Sequence, residues 1–124
     1  MTADLLTVYK QANETCEQSE GVKNMKMKKL GKYVIVRTYS AGVFAGNLES
    51  RKGQEVVLRN ARRIWQWFGA ATLSELAVKG TSQPSQCKFP CEVDRIELLQ
   101  AIEILHVSKA AETSIKGVPV WSAH

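Results

Sequence analysis

The sequence is poor in the residues that enzymes and extracellular proteins use most. Its 124 residues include two histidines and three cysteines, and an odd cysteine count without an export signal favours free thiols over a disulfide framework. No apolar run approaches the ~18 residues of a membrane-spanning helix, and the first residues lack the basic start and apolar stretch of a signal peptide. We therefore expect a soluble intracellular protein.

The composition is otherwise that of an ordinary globular domain. Hydrophobic residues make up 44% and charged residues 23% of the chain, which argues against a disordered or fibrous protein. The length fits one domain, since domains usually contain roughly 100–200 residues. Seventeen basic and twelve acidic residues give a net charge of +5, and the pI near 9.2 favours an anionic partner without identifying it.

The N-terminal segment differs from the rest of the chain. Leu5, Tyr9, Ala12 and Cys16 recur at helical spacing, which predicts a helix with one apolar stripe. The following residues up to Lys32 are rich in lysine and contain two glycines, as is typical of a solvated linker. We accordingly divide the chain into an N-terminal helix with a basic linker, residues 1–31, and a β-rich ligand-binding core, residues 32–124.

The core shows the two-residue alternation of β-strands. The predicted strands are Lys32–Tyr39, Ala41–Leu48, Glu55–Arg59, Ala61–Phe68, Glu92–Leu99 and Ala101–Val107. The polar residues 49–54 contain a glycine and predict a hairpin loop. These strands indicate a mainly β (α+β) fold, a small antiparallel barrel or sandwich with the N-terminal helix and one short internal helix.

The internal helix is predicted after the fourth strand. Thr72 and Glu75 have the spacing of a capping box, and Gly80 has the position of a helix end. Residues 81–91 contain two prolines and predict a loop. The pattern of the C-terminal tail, from Ala110 to His124, is ambiguous, and Ser114–Lys116 and Val118–Trp121 are candidates for short edge pieces of the sheet.

Catalytic groups are scarce. His106 follows the alternation of its strand with Ile102 and Ile104, so a packed or hydrogen-bonded structural histidine is the preferred interpretation. A Cys/His pair using Cys87 or Cys91 remains possible, but no local signature supports it. Glu97 and Glu103 lie on separate predicted strands, so sequence spacing does not pair them for acid–base chemistry.

Metal and phosphate motifs are incomplete. Cys87 and Cys91 are separated by three residues, which zinc sites tolerate, but no second Cys or His pair completes a tetrahedral shell. The chain also lacks a Gly-x-Gly-x-x-Gly motif and a Walker phosphate loop. We expect no metal, no cofactor and no enzymatic activity.

The stretch Asn60–Phe68 concentrates cations and aromatic rings. Arg62 and Arg63 can bind phosphate oxygens with forked hydrogen bonds, and Trp65 offers a face on which a base can stack. The alternative interpretation places Trp65 and Trp67 in the core and leaves the arginines as solvated strand residues. Three further residues in other segments can contribute to the same site, Arg37 and Tyr39 of the first strand and Phe89 of the loop.

Three sequence segments resemble segments of a family of small phage proteins, the first class of anti-Thoeris sponges. The segments are Gly31–Gly46 (GKYVIVRTYSAGVFAG), Val57–Trp67 (VLRNARRIWQW) and the pair Lys88–Phe89. The resemblance covers about Gly31 to Trp121 and includes no catalytic signature.

The resemblance implies a non-enzymatic binder that sequesters a nucleotide second messenger in the host cytoplasm during phage infection. Members of that family capture glycocyclic ADP-ribose made by TIR-domain proteins, and some hold cyclic di- or trinucleotides. They form homohexamers with ligand sites between subunits. Combining motif membership with residue chemistry, we nominate six ligand-binding residues, which are Arg37, Tyr39, Arg62, Arg63, Trp65 and Phe89.

Two other functions use the same residues. A small β-barrel that binds single-stranded nucleic acid would need the same basic charge and stacking rings. A messenger-cleaving enzyme would use His106 or a cysteine. Duplex binding and membrane binding are not expected, because the charge excess is modest and no apolar span is present.

Overall fold

A computed structural model describes residues 31–122. Within them the chain forms five strands and two helices, namely β1 Tyr33–Thr38, β2 Val43–Lys52, β3 Glu55–Arg63, α1 Leu73–Lys79, β4 Glu92–Leu98, β5 Ala101–His106 and α2 Lys109–Lys116. A short 3-10 turn, Pro84–Gln86, lies between α1 and β4. The predicted N-terminal helix and most of the predicted linker lie outside the described residues.

All strands belong to one antiparallel sheet with the order β4-β3-β2-β1-β5. In a flat sheet the two edge strands would be about 19 Å apart, four spacings of ~4.8 Å. Yet only Leu99 and Gln100 join β4 to β5, and three Cα steps span at most about 11 Å. The sheet must therefore curl until its edges approach each other. The Ala101 N–H at the start of β5 donates to the Gln54 carbonyl of the β2–β3 turn at 3.0 Å.

The curled sheet has an apolar cluster on each face. Side chains on the concave face pack among themselves, namely Val34, Val36, Phe44, Val56, Leu58, Ala61, Leu98 and Ala101. The other face packs against the helices and the segment 87–89, with Ile35, Ile64, Leu76, Phe89, Ile115 and Val118 in its core. The run Tyr33–Val36 is buried throughout because β1 contributes alternate side chains to both clusters.

The third strand differs from its prediction. Glu55–Arg59 and Ala61–Phe68 were expected to be separate strands, but β3 runs without interruption from Glu55 to Arg63. Asn60 adopts a positive φ of 52°, and the pairing of β2 with β3 shifts register opposite this position, as a β-bulge requires. Beyond Arg63 the chain leaves the sheet, and Gln66 forms only an isolated bridge with Lys88.

The hairpin between β2 and β3 is tighter than expected. Both strands extend through residues assigned to the loop, so only Gly53 and Gln54 connect them. Gly53 has a φ of +62°, a conformation that glycine adopts without steric cost. A two-residue connection with glycine is a common antiparallel turn, and it brings Gln54 to the start of β5.

The predicted cap of α1 is confirmed in part. The Thr72 hydroxyl accepts a hydrogen bond from the Glu75 N–H at 3.1 Å, and Gly80 ends the helix with a φ of 78°. The Glu75 carboxylate accepts from the N–H of Ala71 at 2.8 Å, one residue before the position of a standard capping box. Leu76 and Ala77 are buried, as the apolar stripe predicts.

The C-terminal tail differs in part from the edge pieces suggested for it. Ser114–Lys116, expected to be an edge piece, belongs to helix α2. The Ser108 hydroxyl caps this helix by accepting from the Ala111 N–H at 3.0 Å, and Ala111 and Ile115 bury one face with helical spacing. Farther on, Val120 bridges Phe89 in parallel orientation, so the expected extended piece at Val118–Trp121 is present as a single bridge.

The protein is therefore mainly β, with one five-stranded sheet and two helices in residues 31–122. The sheet is curled but not closed, so it is neither a complete barrel nor a two-sheet sandwich. Gly31 and Lys32 already contact the fold, because the Gly31 carbonyl accepts from the Asn47 amide at 3.0 Å and the Lys32 carbonyl accepts from the Leu48 N–H at 2.8 Å.

Candidate functional site

Two of the six nominated residues lie inside the protein. Phe89 is 0% exposed and Arg62 is 3% exposed, and the Arg62 guanidinium carbon lies 5.5 Å from the centre of the Phe89 ring. Neither side chain is accessible to a ligand in this structure. Alternation correctly grouped Arg62 with Ile64, but sequence alone did not show that this group faces inward.

Burial also changes the ionisation of two groups in this interior. Burial lowers the pKa of the Arg62 guanidinium, while the nearby groups Tyr33, Glu92 and Cys91 oppose this effect. The same burial, reinforced by Glu92 and Glu112, raises the pKa of Tyr33. The Tyr33 hydroxyl is buried and has no hydrogen-bond partner within residues 31–122.

Three nominated residues lie at the end of the sheet where β1 and β3 finish. Arg37 is exposed, and its Nε donates to the Glu103 carboxylate at 2.9 Å. Tyr39 is 76% exposed, and its N–H donates to the Gln100 carbonyl at 2.9 Å. Arg63 donates to the Ala41 carbonyl and lies over the Phe44 ring at 4.4 Å, where it covers one end of the concave apolar cluster.

Trp65 follows β3 by two residues and forms an exposed aromatic pair with Trp121. The ring centres are 6.4 Å apart and the ring planes differ by 8°, within the range favoured by aromatic pairs. Trp65 is 63% and Trp121 40% exposed. Lys88 Nζ lies 5.5 Å from the Trp121 ring centre, so two flat faces and one ammonium meet on the surface. We call Trp65, Lys88 and Trp121 the aromatic platform.

Main-chain hydrogen bonds hold the platform together. The segment 87–89 lies between the other two segments, because Lys88 bridges Gln66 and Phe89 bridges Val120. The Lys88 N–H donates to the Gln66 carbonyl at 2.7 Å, and the Trp121 N–H donates to the Phe89 carbonyl at 3.0 Å. Three segments that are distant in sequence thereby present their side chains on neighbouring extended backbones.

The interpretation of the tryptophans as core residues applies to Trp67, and their interpretation as an exposed stacking surface applies to Trp65. Trp67 is half-buried, packs against the core under the helices, and donates from Nε1 to the Ala70 carbonyl at 3.1 Å. Trp65 instead has most of its surface in solvent. Sequence reasoning nominated Trp65 but missed Trp121 and gave Lys88 only a neighbouring role. The one available signal was the expected extended piece ending at Trp121.

The candidate catalytic residues are dispersed. His106 is exposed at the end of the edge strand β5, so of the two expected structural roles, packed or hydrogen-bonded, the packed one is wrong. Cys87 is buried and Cys91 is exposed. Glu97 lies 3.3 Å from Arg95, and Glu103 pairs with Arg37. Residues 31–122 contain no group of three or more His, Cys, Asp or Glu side chains arranged to hold a metal ion.

Two surface cavities lie near the start of β5. One of about 590 Å³ is lined by the β2–β3 turn and by residues 101–104 of β5. The other, about 480 Å³, lies between residues 38–41 and the β4–β5 connection. Neither cavity was expected from the residue pattern. The helices formed by residues 31–122 lack the length and apolar character of a membrane-spanning segment.

Comparisons with known proteins give one result. Residues 31–115 match the profile of a domain of unknown function, DUF6948. The matched region covers all five strands, α1 and almost all of α2, and it ends before the segment that carries Trp121. The comparison with curated proteins finds no match, and the comparison with solved structures finds none either.

Proposed function

The chain belongs to the DUF6948 family, and we propose that it binds and sequesters a cyclic nucleotide second messenger without cleaving it, using the aromatic platform to hold a base. The observation that carries this proposal is the exposed, nearly parallel pair of Trp65 and Trp121 beside Lys88. Exposed tryptophan faces are unfavourable in water unless a partner covers them. A nucleotide base is a partner with matching shape.

Stacking supplies the first part of the binding energy. A base stacked on an aromatic side chain contributes about 1–3 kcal/mol, and the outer face of either platform tryptophan can accept one. The rings are linked to the sheet by main-chain hydrogen bonds, so little conformational freedom is lost when a base binds. A preorganised surface of this kind keeps more of its gross interaction energy as affinity.

Charge supplies the second part. Lys88 places an ammonium group beside the Trp121 ring, where it can contact the phosphate attached to a stacked base. Arg63 lies on the same β3 extension, two residues before Trp65, and Arg37 and Tyr39 lie at the same end of the sheet as Arg63. These residues remain our candidates for the phosphate and sugar. Arg62 and Phe89 leave the list of ligand contacts because they are buried.

The segments Gly31–Gly46 and Val57–Trp67 resemble the anti-Thoeris sponge family, and this resemblance makes glycocyclic ADP-ribose the first ligand to test. Cyclic di- and trinucleotides are the next ligands to test. By the same resemblance, we propose that the protein acts in the cytoplasm of a phage-infected host as a homohexamer. Closed assemblies repeat the same contacts on every subunit, so each copy would bring an equivalent platform to the assembly.

Capture and release of the messenger test this function. Purified protein at a series of concentrations is incubated with a fixed excess of glycocyclic ADP-ribose, the free fraction is removed by filtration, and the retained fraction is heated. We expect depletion from the filtrate in proportion to protein, followed by recovery of intact messenger after denaturation. Absence of capture for this ligand and for cyclic di- and trinucleotides contradicts the proposal.

The same assay separates the competing functions. Product that accumulates beyond one equivalent of protein would identify a messenger-cleaving enzyme. Binding of a short single-stranded oligonucleotide that cyclic nucleotides do not displace would identify a nucleic-acid-binding protein. Trp65→Leu is the informative variant because the ring is mostly in solvent, and Phe68→Leu, also partly exposed, is its matched control.

A further inference from the structure

Arg62 is buried, yet its guanidinium contacts main-chain carbonyls rather than a carboxylate. Nε donates to the Pro90 carbonyl at 2.9 Å, and Nη1 donates to the Ile115 carbonyl at 3.0 Å. Nη2 donates to two carbonyls, those of Phe89 at 3.1 Å and Val118 at 2.6 Å. One side chain therefore joins β3 to two segments that are remote in sequence.

These two segments carry the rest of the aromatic platform. Phe89 follows Lys88 directly, and its carbonyl, which accepts from Arg62, also accepts from the Trp121 N–H at 3.0 Å. Val118 begins the segment that leads to Trp121. On the third side, Arg62 lies on β3 shortly before Trp65. The guanidinium is thus placed at the junction of the three backbones that present Trp65, Lys88 and Trp121.

We propose that Arg62 is the positioning residue of the aromatic platform, holding the segments 87–90 and 115–121 against β3 so that Trp121 and Lys88 lie beside Trp65. The role of the platform in ligand binding rests on the proposed function, but the effect of Arg62 on the tryptophan pair does not. Arg62 touches no ligand in this proposal and acts through the three platform residues.

The chemistry of the contacts explains why arginine is needed. Its planar guanidinium has five N–H donors in a fixed fork, whereas the lysine ammonium has three donors at one point. Four carbonyls on two segments match the fork and exceed the capacity of lysine. Ile115 also lies in the last turn of α2, where the negative end of the helix dipole favours a nearby cation.

Two variants of Arg62 and two of Arg59 form the test. Arg62→Lys keeps the charge and Arg62→Met keeps most of the volume, and neither reproduces the four bonds. Arg59→Lys and Arg59→Met are the matched controls, since Arg59 lies on the same strand but contacts Asp94 and Glu49 at the surface. Far-UV circular dichroism and thermal melting report whether each variant is folded.

The decisive readout is the coupling between the two tryptophans. The proteins are labelled with 5-fluorotryptophan. When Arg62 is present, Trp121→Leu should shift the ¹⁹F resonance of Trp65, because the two rings are stacked. In folded Arg62→Lys protein we expect Trp121→Leu to leave the Trp65 resonance unchanged, and we expect affinity for glycocyclic ADP-ribose to fall at least tenfold. The Arg59 variants should retain both properties.

Retention of the tryptophan coupling in Arg62→Lys overturns the proposal. If that variant does not fold, hydrogen exchange of the unmodified protein decides instead. If Arg62 holds both segments against β3, the Trp121 and Lys88 amides should exchange at similar rates. Much faster exchange at Trp121 contradicts the proposal. Loss of coupling in a protein whose native form captures no messenger supports the role of Arg62 and rejects only the proposed function.

Discussion

Trp65 and Trp121 stack with their ring centres 6.4 Å apart and their planes 8° from parallel, although one follows β3 and the other lies beyond α2. Local sequence does not bring them together. Their proximity depends on the segment 87–89, which bridges both of their backbones. The pair is consequently a product of tertiary structure, and its exposure makes it the first feature to test by substitution.

Removing either platform ring should weaken messenger binding with little effect on folding. For Trp65→Leu and Trp121→Leu we expect a loss of about 1–3 kcal/mol in binding free energy for each stacked base, measured by isothermal titration calorimetry. The two losses should not be additive, because the rings contact each other. Phe68→Leu should bind as the unmodified protein does, and unchanged affinity in both tryptophan variants would remove the platform from the site.

Lys88 should contribute through charge. We expect Lys88→Gln to reduce messenger affinity by about 1.5 kcal/mol, roughly tenfold, because a hydrogen bond to a charged phosphate is lost. Affinity measured across a salt series should also depend less on ionic strength in the variant, since one screened contact is absent. Lys52→Gln, at the exposed end of β2, is the control. Equal effects of both substitutions would indicate a general charge effect rather than a contact.

The parts of the fold that sequence predicted are those specified by local chemistry. The cap of α1 depends on Thr72, Glu75 and Gly80, which lie within nine residues of one another, and most strand positions follow from alternation. Helix α2 was missed because Thr113 and Ile115 are β-branched and suggest a strand, while its stability comes from the Ser108 cap and from burial of one face against α1 and the apolar cluster beneath it.

The site was harder to predict for a related physical reason. Alternation separated Arg62 from Arg63 and Trp65 correctly, but the direction of each group depends on what covers the sheet. Arg62 is buried by Phe89 and by the segment after α2. The spacing of residues along β3 does not predict this burial. The same long-range packing places Trp121 beside Trp65, so sequence reasoning nominated only Trp65 of the three platform residues.

The cap of α1 should have a measurable stability. We expect Thr72→Ala to lower the free energy of unfolding by about 1 kcal/mol, within the range of 0.5–2 kcal/mol found for N-caps, because the Glu75 N–H loses its acceptor. Chemical denaturation measures this difference. Ser74→Ala, in the first turn with an exposed side chain, should change stability much less. An equal loss in both variants would indicate a general effect of shortening side chains in the first turn rather than the loss of the cap.

Tyr33 should make the protein sensitive to alkaline pH. Burial, with Glu92 and Glu112 adding to it, raises the pKa of Tyr33 in the folded state, whereas in the unfolded chain the phenol titrates near its ordinary value of about 10. Below that pH both states hold the proton, so the contribution of protonated Tyr33 to the free energy of unfolding is fully present. Above it the unfolded state releases the proton first, and stability falls as pH rises.

Tyr33→Phe isolates this effect. The variant has no phenol to titrate, so it should lose less stability than the unmodified protein between pH 10 and 11, as followed by denaturation at a series of pH values. At pH 7 it should be within about 1 kcal/mol of the unmodified protein or more stable, because the buried hydroxyl has no partner among residues 31–122. Tyr39→Phe, with its ring in solvent, is the control. Parallel pH curves for Tyr33→Phe and the unmodified protein would show that this phenol does not control alkaline unfolding.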